Sequence, residues 1–175
     1  PFVRRRSGPA FWGSSYGNQI DACILLSPYL KYNAPPMSST SGGWAYPYTA
    51  RIAGLTMLNN LGIHLLDHLP VIELNMPAEA RDGSETLRYS HRLNTSYAPQ
   101  NYKKDLASIE HPLLVVVGAD DKAFHADRYE PVISKYSDGE TLLLPGVTHM
   151  GVVTGPEIGP VIEEWLEQKL STLQR

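Results

Sequence analysis

Short, unbroken runs of apolar residues are the main feature of the hydrophobic pattern in this chain. They lie within residues 21–30, 111–121 and 141–151. A continuous apolar run of this length is typical of a strand buried on both faces, as in parallel sheets covered by helices. Residues 128–136 can supply a crossover helix between the last two runs, and residues 156–170 a closing helix. The pattern therefore predicts an α/β fold with parallel strands and crossover helices.

The middle of the chain, residues 31–100, differs in character, with paired prolines, paired glycines and several tyrosines. An approximate helical stripe consists of Ile52, Leu55, Met57, Leu58 and Leu61. Gly62 is a plausible end for this helix. Residues 71–76 fit a short extended piece, and residues 87–96 fit a second helix. Because a stretch this long between two core strands exceeds a plain loop, we predict a mostly helical cap. The core would then consist of residues 1–30 and 101–175.

An acid and a histidine each follow one of the predicted strands, within three residues of a glycine. Asp121 follows Gly118, and His149 follows Gly146. Parallel strands in open α/β sheets deliver ligand-binding residues at their carboxyl ends, so we expect both side chains at one edge of the sheet. An acid followed by a histidine supplies two members of a nucleophile–His–acid triad. Asp120 is the alternative acid.

The order and spacing of these features carry a resemblance to a known family. Residues 105–170 resemble the C-terminal end of an α/β-hydrolase of the lysophospholipase-like and serine-aminopeptidase-like kind, and residues 21–30 resemble the strand after the nucleophile helix. The resemblance implies the C-terminal portion of an α/β-hydrolase fold with a cap insertion. The family pattern G-x-x-D favours Asp121 as the acid that orients the imidazole of His149, which would act as general base and then as general acid.

The nucleophile of such an enzyme lies on a sharp G-x-S-x-G elbow between a buried strand and a helix. Residues 13–17 have this literal pattern, but no strand precedes them and no room for a helix follows. We therefore interpret them as a Gly/Ser-rich loop and retain Ser15 only as a minor candidate. Residues 1–8 fit the remains of the nucleophile helix. The resemblance thus implies that the nucleophile and the oxyanion hole lie upstream of Pro1.

The remaining histidines and the cysteine favour structural functions. His64 and His68 are four residues apart and would share one face of a helix, as metal-ligand pairs do. No third ligand is evident, so packing in the cap is favoured over a zinc site. His91, His111 and His125 are interpreted as surface or loop residues. The lone Cys23 lies in an apolar run and fits a buried thiol.

Composition narrows the classes of partner. The net charge of -3 gives no electrostatic case for nucleic acid. No apolar run reaches membrane-spanning length, and no cofactor or metal is predicted. The lone cysteine gives no sign of an oxidising compartment, and it is equally compatible with a periplasmic protein. The sequence leaves the localisation open, with the cytoplasm slightly favoured.

The resemblance implies a serine hydrolase that acts on a small carboxylic ester, a lysophospholipid or a monoacylglycerol. A complete site would also need the N-terminal half of the hydrolase. Two alternatives remain open. The chain could be a non-catalytic half-domain or a partner-binding remnant, in which an unpaired strand edge would favour association. A dehalogenase would place an aspartate nucleophile at the same elbow.

Overall fold

Two three-stranded sheets organise the described residues of the computed structural model, which are 21–31, 33–38, 43, 45–76, 81, 83, 85–99 and 101–173. The first sheet is parallel, in the order β1-β5-β6. It consists of β1 (Cys23–Leu26), β5 (Leu113–Gly118) and β6 (Glu140–Leu144). The predicted parallel α/β architecture is therefore confirmed.

All six residues of the central strand β5 are buried, and this burial accounts for its unbroken apolar run. Val115 and Val117 pack into a core on one face of the sheet, whereas Val116 packs on the other face with Trp165. β6 differs from the prediction of burial on both faces, since Leu142 and Leu143 are each 37% exposed. Position causes the difference: β5 has a hydrogen-bonded neighbour on each side, whereas β6 lies at the edge of the described sheet.

The core contains four described helices, which are α3 (Tyr102–Ala107), α4 (Tyr129–Tyr136), α5 (Gly151–Thr154) and α6 (Ile158–Leu173). α4 and α6 lie close to their predicted positions, whereas α3 and α5 were not predicted. A short 3-10 helix, Ala126–Arg128, leads into α4. α4 connects β5 to β6 as the predicted crossover, and it buries Val132 and Ile133 against the sheet. None of the described helices is long and apolar enough to cross a bilayer.

The middle of the chain contains an antiparallel sheet as well as helices. The sheet has the order β2-β3-β4, formed by β2 (Ala45–Pro47), β3 (Pro70–Leu74) and β4 (Arg88–Ser90). The two helices are α1 (Thr49–Asn60) and α2 (His91–Tyr97). The sequence predicted β3 but assigned β4 to a helix. α2 begins later than predicted, at His91, because residues 88–90 pair with β3 as β4. Ser90 caps the helix, since its hydroxyl accepts a hydrogen bond from the Leu93 amide at 3.2 Å.

The predicted stripe on α1 is buried only in part. Ile52 and Leu55 pack against Val71 of β3, whereas Met57 and Leu61 are 69% and 75% exposed. α1 ends close to the predicted position, with Gly62 just beyond it at a φ of +81°, in the left-handed region that favours glycine. The division into a core and a cap remains a prediction, and residues 1–20 lie outside the described part of the chain.

Candidate active site

The turn after β5 is hydrogen-bonded to the chain that follows β6. The Ala119 amide donates to the Leu144 carbonyl oxygen at 2.9 Å, and the Asp120 amide donates to the Val147 carbonyl oxygen at 3.0 Å. These bonds bring together the loops at the carboxyl ends of two adjacent parallel strands. Asp121 and His149 lie on these two loops, in the arrangement expected from open α/β sheets.

The Asp121 carboxylate is fully buried and accepts hydrogen bonds at both oxygens. Its Oδ1 atom accepts from the backbone amides of Ala123 and Phe124, at 2.8 and 2.9 Å. Its Oδ2 atom lies 2.7 Å from His149 Nδ1. The short Asp-x-x turn thus fixes the orientation of the carboxylate, because an aspartate can bond the amides two and three residues further along.

The charge on Asp121 is stabilised in spite of burial. Burial by itself raises the pKa of this carboxyl, but the hydrogen bond from His149 and those from the Phe124 and Ala123 amides outweigh it and lower the pKa below its ordinary value. Asp121 is therefore ionised at neutral pH. An ionised carboxylate beside Nδ1 fixes the imidazole tautomer that carries its hydrogen on Nδ1.

The His149 ring is partly open to solvent, with 30% of its side chain exposed. The Phe124 ring meets it edge to face, with ring centres 4.9 Å apart and an angle of 89°. Within the described ranges, no hydrogen bond engages His149 Nε2. With Nδ1–H held by Asp121, the Nε2 lone pair is available to accept a proton from a nearby hydroxyl.

The alternative acid, Asp120, does not contact His149. Its side chain is exposed, and its backbone amide donates to the Val147 carbonyl oxygen. Of the two neighbouring aspartates, only Asp121 shares a hydrogen bond with the histidine.

Sequence reasoning missed Ser27, which directly follows β1 at the same edge of the sheet. Its φ is +38°, an uncommon value for a non-glycine residue, and the residue is only 5% exposed. Its Oγ atom is buried without a hydrogen-bond partner among the described residues. Strained backbone and an unsatisfied buried hydroxyl both occur at functional sites, although the sequence around Ser27 has no elbow pattern. The predicted minor candidate, Ser15, and the pattern at residues 13–17 lie outside the described part.

A second Asp–His pair, Asp67 and His91, lies in the middle segment. Asp67 Oδ1 is 3.0 Å from His91 Nδ1, and Asp67 Oδ2 is 3.1 Å from His64 Nδ1. His91 Nε2 lies 3.3 Å from Thr56 Oγ1. The interpretation of His91 as a surface or loop residue is wrong, since His91 is fully buried. Its ring contacts Thr56 and Asn59 of α1 as well as Asp67.

The His64–His68 pair does not form a shared helical face. His64 lies in irregular chain and His68 in the turn that follows it, and His68 Nδ1 contacts the Leu65 carbonyl oxygen at 3.1 Å. No group of three or more His, Cys, Asp or Glu side chains that could hold a metal ion occurs among the described residues. Cys23 is a free thiol whose pKa is raised by burial.

Comparisons with solved structures identify the fold. A monoacylglycerol lipase from Paleococcus ferrophilus matches with a TM-score of 0.60 at 14% identity, over 93% of this chain and 63% of the lipase. DcsB in complex with its substrate analogue matches with a TM-score of 0.59 at 12% identity, over 93% of this chain and 61% of that protein. Est1E from Butyrivibrio proteoclasticus matches with a TM-score of 0.53 at 15% identity, over 93% of this chain and 56% of Est1E.

The chain is an α/β protein with an Asp–His pair at the carboxyl edge of a parallel sheet. More particularly, it has a partial α/β-hydrolase fold, as the C-terminal portion of that fold would show. The predicted fold class, and the predicted resemblance as far as it concerns the α/β-hydrolase fold, are confirmed. The chain spans less than two thirds of the length of the three structures named. No protein-family model and no curated protein sequence matches it.

Proposed function

We propose that this chain supplies the acid and the base of a serine hydrolase that cleaves carboxylic esters. One observation carries the proposal: the buried, doubly hydrogen-bonded Asp121 carboxylate lies 2.7 Å from Nδ1 of a partly exposed His149. This pairing is the one that orients a general base in nucleophilic acyl transfer. Similarity to a monoacylglycerol lipase adds support for an ester of an apolar acyl chain as the substrate.

In the proposed mechanism, His149 Nε2 takes the proton of a serine hydroxyl as the oxygen attacks the ester carbonyl. Asp121 stabilises the imidazolium that forms. His149 then gives this proton to the leaving alkoxide, and an acyl-enzyme remains. Water, activated by the same imidazole, hydrolyses the acyl-enzyme and regenerates the serine. Residues 31–100 would form a cap that excludes bulk water from the substrate.

The nucleophilic serine would lie in a part of the protein upstream of Pro1, on an elbow of the G-x-S-x-G type. Ser15 and Ser27 are the two candidates within this chain. A fluorophosphonate probe tests all three, because it reacts covalently with the activated serine of such enzymes. Peptide mass spectrometry of the labelled protein, extended upstream of Pro1, would identify the modified residue.

Hydrolysis of p-nitrophenyl esters of graded acyl length tests the reaction itself. We expect His149→Ala to abolish both ester hydrolysis and fluorophosphonate labelling. His125→Ala, a matched change at an exposed loop histidine, should leave both unchanged. Activity in the extended protein that does not depend on His149 would contradict the proposed base.

Two other outcomes would support the alternatives. Release of halide from haloalkanes without fluorophosphonate labelling would indicate an aspartate nucleophile and dehalogenase chemistry. No activity of either kind, even with the upstream segment present, would favour a non-catalytic, partner-binding half-domain.

A further inference from the structure

A cationic groove lies between α3 and α4, separate from the Asp–His pair. Its volume is about 280 Å³, and its lining includes neither Asp121 nor His149. Eight described residues line it, and three of them are the cations Lys103, Arg128 and Lys135. The other five are prolines, tyrosines and a valine, so none of these eight residues carries a carboxylate. A concave surface with cations and no counter-charge is a candidate site for an anion.

Two of the cations are held beside one aromatic ring. Lys103 Nζ lies 5.6 Å from the centre of the Tyr136 ring, and Lys135 Nζ lies 5.5 Å from the same centre. Neither lysine forms an ion pair with a residue in the described ranges. Each ammonium gains a cation–π contact, and each has three N–H donors that an anion could accept from.

Arg128 adds a planar donor group to the same groove. Its Nη1 atom donates one long hydrogen bond, of 3.5 Å, to the Pro35 carbonyl oxygen. The guanidinium has five N–H donors, so further donors are available to a ligand. The Tyr102 and Tyr136 rings meet edge to face, with centres 6.1 Å apart and an angle of 89°. This pair forms an apolar wall beside the charges.

We propose that this groove binds the phosphoryl group of a small soluble ligand. A phosphoryl group presents several oxygens with close to two negative charges, which suits one guanidinium and two ammonium groups better than a single carboxylate does. The size of the groove fits a phosphoryl group with a small substituent rather than a large cofactor. The tyrosine wall would cover an apolar substituent on the phosphate.

The position of the groove gives the ligand a structural effect. Pro35 precedes Pro36, whose carbonyl oxygen accepts a hydrogen bond of 2.7 Å from the His125 amide. Met37 forms a bridge with Phe124, the residue that contacts His149. A ligand held between Pro35 and α4 would therefore brace the segment after β1 against the Asp121 loop, and it would raise the melting temperature of the chain.

Isothermal titration calorimetry of the full chain with inorganic pyrophosphate and with phenyl phosphate tests the proposal, with neutral phenol as a control ligand. We expect saturable binding of both phosphates and no comparable binding of phenol. The double variant Lys103→Gln/Lys135→Gln should bind at least about tenfold more weakly, because hydrogen bonds to charged groups are lost. Binding should also weaken at about 1 M salt, where charges are screened within about 3 Å.

The matched control is the double variant Lys104→Gln/Arg92→Gln, which removes the same charge from exposed positions outside the groove lining. Its affinity for both phosphates should equal that of the unmodified chain. Circular dichroism checks that both double variants fold. If both double variants bound the phosphates equally more weakly than the unmodified chain, net charge alone would explain the loss, and the proposal would be overturned. Absence of saturable phosphate binding to the folded, unmodified chain would also overturn it.

Discussion

Gly118 and Val147 approach so closely that the backbone of one occupies the space that a side chain on the other would need. A Cβ atom on Gly118 would lie 2.2 Å from the Val147 carbonyl oxygen and 2.8 Å from that of Thr148. Gly118 ends β5, and Val147 precedes His149 by two residues. This contact therefore sets the separation between the loops that carry Asp121 and His149.

The Gly118→Ala substitution tests this relationship. We expect the free energy of unfolding to fall by about 3 kcal/mol, because the obstructing atoms belong to the backbone and cannot rotate away. Urea denaturation measures the change. Gly54→Ala is the control: beyond its chain neighbours and the nearby backbone of α1 itself, no described atom lies within 4 Å of the added Cβ, and α1 should gain about 0.5–1 kcal/mol. Equal stability of the two variants would contradict the close approach.

The Asp121→Asn substitution tests the function of the carboxylate in the proposed hydrolase. Asparagine keeps the shape of the side chain but no longer favours the tautomer with hydrogen on Nδ1 of His149. We expect kcat for ester hydrolysis to fall by about 10⁴-fold, as in other triads of this kind. Asp120→Asn is the matched control and should change kcat little. The same loss in both variants would argue against a specific Asp121–His149 pair.

The pH dependence of stability tests the buried Asp67 network. Burial raises the pKa of Asp67, but hydrogen bonds from Asn59, His91 and His64 outweigh it and hold the pKa below its ordinary value. A carboxyl whose pKa is lowered by folding stabilises the protein above its unfolded pKa, and this stabilisation is lost as the pH falls through the folded pKa. Asp67→Asn should therefore destabilise the chain near neutral pH and progressively less below about pH 4.

Urea denaturation of both proteins across this pH range measures the difference. Asp138→Asn, at an exposed position, should show no such trend. A stability difference between the Asp67 variant and the unmodified chain that stays constant down to the acid end would contradict the assignment.

The Tyr129 hydroxyl connects α4 to the segment after β1. It donates a hydrogen bond of 2.8 Å to the Pro28 carbonyl oxygen, and the residue is fully buried. Burial, and next the charge on Asp121, raise the pKa of Tyr129 far above its ordinary value, so the donor hydrogen persists at alkaline pH. Tyr129→Phe would leave the carbonyl oxygen unsatisfied. We expect a loss of about 1–3 kcal/mol in urea denaturation, against almost none for Tyr97→Phe, which is 61% exposed.

The core of the fold could be predicted because its signals are local. β5 is an unbroken apolar run that is buried along its whole length. The crossover helix α4 and the closing helix α6 were predicted from the chain around it. The glycine–acid and glycine–histidine spacings likewise placed Asp121 and His149 after adjacent strands. The exposure of Met57 and Leu61 could not be predicted, because a helical stripe does not reveal how much of its face a neighbouring sheet covers.

The sequence by itself determined the α/β class and the sites of the core strands, since burial on both faces leaves a continuous apolar signature, and it predicted a pair of His149 with Asp121 or Asp120. Only the tertiary structure showed that Asp121, and not Asp120, shares a hydrogen bond with His149. It alone also showed the burial of His91 beside Asp67 and the convergence of Lys103, Arg128 and Lys135 on one groove. These last features join residues that are distant in the chain or differ only in side-chain direction. Such features depend on hydrogen-bond geometry and on packing in three dimensions, and the local periodicity of the sequence carries no information about these two factors.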